Sequence, residues 1–435
     1  MNTYPKYKDS GEQWLGQIPE HWEMKRLAAC FAKRSENWKR GETLELLSLL
    51  KDVGIVPYSE KGNIGNTAKT DFSQYKVARK GDLVINSMNV IIGSLGITPM
   101  DGYISPAYYA FAPREGVNTR YYNYILSLRR AQQNIRRFSK GIMEIRLKIS
   151  ANDFLSIQYP VPPKDEQEAM VAYLDEQTGK IDAAIEREQK MIDLLNERKQ
   201  IIIQQAVTKG LNPNAPLKDS GVIGGYEIPS HWKITKTLYA LSMPITDGPH
   251  ETPELYEDGI PFVSAEAVSC GNGRIDFDHI RGYISEAFYK ECCKKYTPAL
   301  NDIYMIKSGA TTGKVAIVDT DRIFTIWSPL AVFRCNAKVM YYKYLFFLLQ
   351  SNFYQKQVQL GWSYGTQQNI GMRTLEKLRI LLPPIEEQKA IVDYISSAVE
   401  PINKAIEAKN RVITLLQERK QIIINEVVTG KIKVS

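Results

Sequence analysis

Four histidines are all the imidazoles this chain offers for acid–base or metal chemistry, and none has a spacing that supports either. His21 and His231 stand in a twice-written Ile-Pro-x-His-Trp phrase, where the adjacent Trp22 and Trp232 favour packing or docking over catalysis. His250, in TDGPHETP, and His279 lack the H-E-x-x-H or H-x-x-x-H spacing that sets two rings on one helix face, so no metal site is expected. The stretch GATTGKV (309–315) resembles a phosphate loop only in outline. Three residues separate its glycines where four are needed, and Val315 stands where a hydroxyl should hold magnesium. Neither a G-x-S-x-G elbow nor a G-x-G-x-x-G dinucleotide turn is present. The Asn/Asp-Pro-Pro-aromatic tetrapeptide that amino-methyltransferases use on a flipped base is also missing. The five cysteines form no C-x-x-C pair and are odd in number, which points to reduced thiols. No catalytic residue and no bound cofactor is expected.

What remains is binding chemistry. A formal charge of +8 leans toward a polyanionic partner. Residues 120–148, RYYNYILSLRRAQQNIRRFSKGIMEIRLK, gather arginines and lysines among tyrosines at a density suited to phosphates, with a solvated helix face as the plain alternative. In the second half, IKSGATTGKVAI and GWSYGTQQNIGMRTLEKL combine small residues, which permit close approach to DNA, with long polar tips. Glutamine and asparagine can pair with adenine edges, and arginine with guanine. The candidate DNA-facing residues are therefore Ser87, Asn89, Arg136, Arg137, Lys140 and Arg146 in the first half. In the second they are Lys307, Ser308, Thr311, Thr312, Lys314, Gln367, Gln368 and Arg373.

The elements that must position these residues are written twice. LLNERKQIII (194–203) returns as LLQERKQIII (415–424), and VPPKDEQEAMVAYLDEQ (161–177) as LPPIEEQKAIVDYISSA (382–398), both displaced by 221 residues. KDSGEQWLGQIPEHW (8–22) returns as KDSGVIGGYEIPSHW (218–232), displaced by 210. Each half reads as opening motif, body and helix, with bodies (23–158 and 233–379) that share only faint landmarks. After Pro162-Pro163, a helix start signal, apolar residues at spacings of three and four form a narrow seam: Ile181, Ile185, Ile192, Leu195 and Ile202. The second copy has Ile402, Ile406, Ile413, Leu416 and Ile423. So narrow a seam predicts that the two helices pair with each other as a coiled coil. Gly179 and Pro401 are expected to interrupt the helices, leaving arms of about 29 residues, or about 43 Å at 1.5 Å per residue. TKGLNPNAPLKDSG is expected to be a linker, with Gly210 as helix stop.

At 44% hydrophobic and 24% charged the chain reads as globular, with neither a membrane span nor a leader, so a cytoplasmic location is expected. The domain expectation is a body at 1–160, a helix at 161–210, a body at 211–380 and a helix at 381–435.

The order KDSG…IP-x-HW, variable body, PP-x-x-EQ, then LL-x-ERKQ-x-I…VT-x-G, all given twice, closely resembles the specificity (S) subunit of type I restriction-modification enzymes. The resemblance covers essentially the whole chain. It implies an α+β architecture with an internal pseudo-two-fold repeat, in which two mixed α/β target-recognition domains are separated by two long helices pairing as an antiparallel coiled coil. Each domain would read one half of a bipartite, asymmetric site in double-stranded DNA. Two methyltransferase (M) subunits would supply S-adenosylmethionine and adenine methylation, and two restriction (R) subunits would supply ATP- and Mg-dependent translocation and cleavage. This chain would itself catalyse nothing. The alternative is a coiled-coil scaffold that joins two protein ligands without touching DNA.

Overall fold

The computed structural model describes residues 3–39, 43–51, 53–62, 71–141, 147–364 and 368–434. It divides into two compact units, residues 1–189 with 410–435 and residues 190–409. Both follow one plan.

Each half of the repeat opens on a two-stranded ribbon: Tyr7–Asp9 with Gln17–Pro19 in the first, Leu217–Asp219 with Glu227–Pro229 in the second. Next comes a strand that pairs antiparallel with the last strand of the body, Glu23–Arg26 with Gln158–Val161 and Lys233–Lys236 with Arg379–Leu382. Between them lie two larger sheets. An antiparallel four-stranded sheet runs 31–33, 108–113, 83–86, 95–97 in the first unit and 246–247, 330–333, 303–306, 315–317 in the second. The other sheet of each unit holds one parallel pair, Gly102–Ile104 beside Glu45–Leu50 and Ile260–Val263 beside Thr325–Ile326. Two short helices follow the first sheet in each case, Thr119–Ser127 and Arg129–Arg137, or Tyr342–Gln350 and Asn352–Leu360.

The long helices are Lys164–Lys209 and Ile385–Val428, of 46 and 44 residues. Both begin directly after a Pro-Pro pair, with Asp165 and Glu166 or Glu386 and Glu387 in the first turn, where carboxylates favour the helix dipole. The expected interruptions do not occur, because both helices continue through Gly179 and Pro401. A glycine in a helix costs only about 1 kcal/mol. Pro401 removes one backbone bond from an exposed position in a helix whose seam is otherwise intact. The first long helix does stop at Lys209, with Gly210 left-handed at φ +69°.

The helices run antiparallel. In the first unit Lys420 Nζ donates to Asp182, and in the second Lys199 Nζ donates to Asn403. Of the seam residues, Ile181, Ile192 and Ile402 are buried, while Ile185, Leu195, Ile202, Ile406, Ile413, Leu416 and Ile423 are half-buried. The adjacent Met191, Leu194, Val412 and Leu415 are exposed, as a narrow seam requires.

Toward their C-terminal ends the apolar stripe of each helix widens. Ile424, Val427 and Val428 enter the core of the first unit with Trp22, Tyr121, Met170 and Leu174. Their counterparts Ile203, Ala206 and Val207 enter the core of the second with Trp232, Tyr344, Ile391 and Ile395. Tyr121 Oη donates to the Val428 carbonyl at 3.0 Å, and Tyr344 Oη to that of Val207 at 3.3 Å. Each core is thus completed by the end of the other half's helix.

Candidate nucleic-acid interface

Two repeated motifs explain each other. Glu166, from the first PP-x-x-EQ, accepts from Trp22 Nε1 at 2.9 Å and Tyr4 Oη at 2.8 Å, and lies 2.6 Å from His21 Nε2. Burial alone would raise its pKa, but the bonds from Trp22, His21 and Tyr4 outweigh burial and hold the carboxyl below the usual glutamate range. Glu387 repeats the clamp on Trp232 Nε1 at 3.0 Å and His231 Nε2 at 2.9 Å. The neighbouring glutamines tie helix to body. Gln167 Oε1 accepts from the Asn118 amide and Gln388 Oε1 from that of Tyr341. The histidines of the opening motif therefore hold the frame, and the bodies are presented on it.

In the first unit, the strand Leu83–Asn86 runs into a turn that starts at Ser87 and includes the 3-10 segment Val90–Ile92. The Ser87 carbonyl accepts the Ile149 amide at 2.9 Å, and Lys140 and Lys148 bridge by two backbone bonds of 2.9 Å. The helix Arg129–Arg137 packs against the same turn. Asn89, Arg136, Arg137 and Lys140 are thereby gathered, all exposed, with Lys140 Nζ 3.7 Å from Asp153. Ser87 differs, since it is 1% exposed and turned inward. Arg146 lies outside the described residues. Lys76 adds to this electropositive region; burial, then repulsion from Lys33 and Lys148, pushes its pKa down to about 8.

The second unit builds the same joint from other residues. The strand Ile303–Ile306 enters a loop at Lys307, whose carbonyl accepts the Ile370 amide at 2.9 Å. Gly309 (φ +97°) and Gly313 (φ +95°) shape the loop, and the Gly309 amide donates to the Gln368 carbonyl. This attaches the hairpin Ser363–Tyr364 with Gln368–Asn369, after which comes the helix Met372–Lys377. Lys314, Gln368 and Arg373 are exposed, while Ser308, Thr311 and Thr312 are half-buried, Thr312 donating to the Gly309 carbonyl. Lys307 is turned inward, 3.3 Å from the fully buried Asp247, which also receives Lys295. Gln367 lies outside the described residues.

Sequence reasoning missed the Asp247 carboxylate, because nothing local in ITDGPH marks it as buried. It also missed the two glutamate clamps, whose signal was available: an acidic residue and a His-Trp pair recur together in both halves. Among the described residues no three His, Cys, Asp or Glu side chains are grouped as a metal site requires, and no helix is long and apolar enough to cross a membrane. The cysteines Cys30, Cys270, Cys292, Cys293 and Cys335 are free.

Known proteins share this plan. The chain is 25% identical over 318 residues to the Type I restriction enzyme MjaVIII specificity subunit of Methanocaldococcus jannaschii, covering 72% of this chain and 70% of that one. It is 23% identical over 436 residues to the putative type I restriction enzyme MjaX specificity subunit of the same organism, covering 97% and 96%. A solved structure concerned with complex assembly and conformational transition of the type I R-M system superposes with a TM-score of 0.64 at 16% identity, over 95% of this chain and 99% of that one, a likeness of fold. The family model described as Type I restriction modification DNA specificity domain matches twice, at residues 19–193 and 251–415. With the first body, most of the second and most of both long helices inside those matches, the chain belongs to the type I restriction-modification DNA specificity family.

Proposed function

We propose that this chain is the DNA-reading subunit of a type I restriction-modification complex, recognising a bipartite, asymmetric duplex target through its two unlike bodies. It directs adenine methylation by two M subunits and restriction by two R subunits, which carry the S-adenosylmethionine, ATP and magnesium chemistry. The chain catalyses no step itself. One observation carries the reading: both bodies send a loop out from an equivalent backbone joint, Ser87 with Ile149 and Lys307 with Ile370, yet fill it with different polar residues. A repeated frame with different contents suits two half-sites of different sequence. Exposed Arg136, Arg137, Lys140, Lys314 and Arg373 supply cations for phosphates around them.

The test is salt-titrated binding of duplex DNA to the full chain. A DNA reader loses affinity linearly in log salt, by about 0.9 per phosphate neutralised; a protein-joining scaffold shows no such slope. Replacing residues 23–158 with the body of another family member then changes one half-site only, as read by methylated-adenine sequencing with M subunits present. Both half-sites changing together would overturn independent reading.

A further inference from the structure

The 221-residue repeat relates residue 182 to 403 and residue 199 to 420. These four side chains make the two equivalent cross-helix contacts, and they differ in charge. In the first unit Lys420 Nζ donates to both carboxylate oxygens of Asp182 at 2.7 Å. In the second, Lys199 Nζ meets an amide, donating to Asn403 Oδ1 at 3.0 Å. Where the first contact is neutral, the second keeps a full positive charge. Burial lowers the Lys199 pKa from its usual value, with no carboxylate to oppose the shift.

Lys199 and Asn403 stand in the wall of a cleft of about 680 Å³ within the second unit, whose other walls include Gly313, Lys314 and Lys343. The cleft's two carboxylates are already engaged, Asp319 3.3 Å from Arg274 and Glu400 3.0 Å from Lys404. Lys314 reaches only the Ser269 carbonyl, at 3.5 Å, and Lys343 lies 6.0 Å above the Tyr342 ring. Three ammonium groups thus line one cleft without a carboxylate of their own among the described residues. An aspartate at 403 would cancel one of them and repel an incoming anion; asparagine orients the ammonium and leaves its charge available.

We propose that this cleft is a phosphate slot, formed by Lys199, Asn403 and Lys314, which takes a backbone phosphodiester of the DNA held by the adjoining 307–314 loop. The inference rests on the DNA-reading function above. It makes the long helix a direct phosphate ligand in one unit only.

The decisive variant is Asn403→Asp, which rebuilds the ion pair of the first unit and so is expected to fold at least as well as the parent. With the full chain and a mixed-sequence duplex, it should lower the log–log salt slope by about 0.9 and weaken binding several-fold at low salt, while raising the melting temperature. Lys199→Met should give the same loss of slope. Thr414→Asp, which adds the same charge on an exposed helix position of the first unit, should leave the slope unchanged. An Asn403→Asp protein that binds as Thr414→Asp does overturns the slot while leaving the DNA-reading function standing. If the parent binds no DNA, that function fails, and inorganic tripolyphosphate becomes the probe. Thermal stabilisation of the parent but not of Asn403→Asp then supports a slot for a free phosphate, and equal or absent stabilisation overturns it.

Discussion

The two bodies solve one problem with different materials. In the first, the residues after the central strand curl into a short 3-10 turn over Val90–Ile92, braced by the helix Arg129–Arg137. In the second, two left-handed glycines open a loose loop, braced by an added hairpin and anchored by Lys307 on buried Asp247. Only the joint is shared: a main-chain bond of 2.9 Å in each. Because the shared element is backbone, every side chain beyond it is free to differ. The glutamate clamps differ more subtly, since Glu166 receives three donors and Glu387 two, Tyr4 having no counterpart.

The largest effect should come from separating the halves. A fragment ending near Asn214 lacks Ile424, Val427 and Val428 from its own core and displays their equivalents Ile203, Ala206 and Val207. Burying such side chains contributes about 1.5–3 kcal/mol for each of the larger ones, so two fragments should exchange helix ends and pair as a symmetric dimer. Analytical ultracentrifugation at micromolar concentration checks this; a folded monomer would end the argument for reciprocal completion. With M subunits, the dimer should methylate an interrupted palindrome.

The clamps come next. Glu166→Ala strands three donors and should cost about 2–4 kcal/mol, and Glu387→Ala, with two, about 1–3 kcal/mol, measured by urea unfolding. Equal costs would remove Tyr4 from the account. Glu166 also predicts a pH dependence. Its folded pKa lies below the unfolded value, so the unfolded state binds more protons in that window. The stabilisation is present above about pH 4.3 and is lost as the pH falls through the folded value. Glu166→Gln should flatten the acid limb of the stability profile; an unchanged limb would exclude the clamp as its source. The smallest effects belong to Tyr121→Phe and Tyr344→Phe, each removing one buried bond to a helix-end carbonyl for about 1 kcal/mol. The loss should be the greater at Tyr121, where the bond is shorter.

The helices were the most legible part of the sequence, because a seam at spacings of three and four constrains one face over many turns. Their continuity through Gly179 and Pro401 was not legible. Intrinsic propensity opposes it at single positions, and pairing along the whole seam outweighs those costs. The sequence marked the seam as far as Ile202 and Ile423 but not Ile203, Val207, Ile424 or Val428, since a strict seam pattern stops short of the wider stripe that a globular core demands. Of the candidate DNA-facing residues, exposed Asn89, Arg136, Arg137, Lys140, Lys314, Gln368 and Arg373 could be proposed from type alone. The inward turn of Ser87 and Lys307 could not be, because it depends on partners far along the chain.

The two ends of the fold's path meet in one unit. Tyr7 Oη donates to the Lys431 carbonyl at 3.5 Å, and a Cβ on Gly430 would lie 2.5 Å from Pro19 and 2.8 Å from Trp22. Gly210 packs on Trp232 and Pro229 in the corresponding way. Within each unit, the end of a long helix therefore lies against the opening ribbon and its tryptophan. A circular permutant that joins the region of Lys431 to that of Tyr7 by a short flexible link, and opens between Leu211 and Pro216, keeps every contact described here and exchanges only which body is made first.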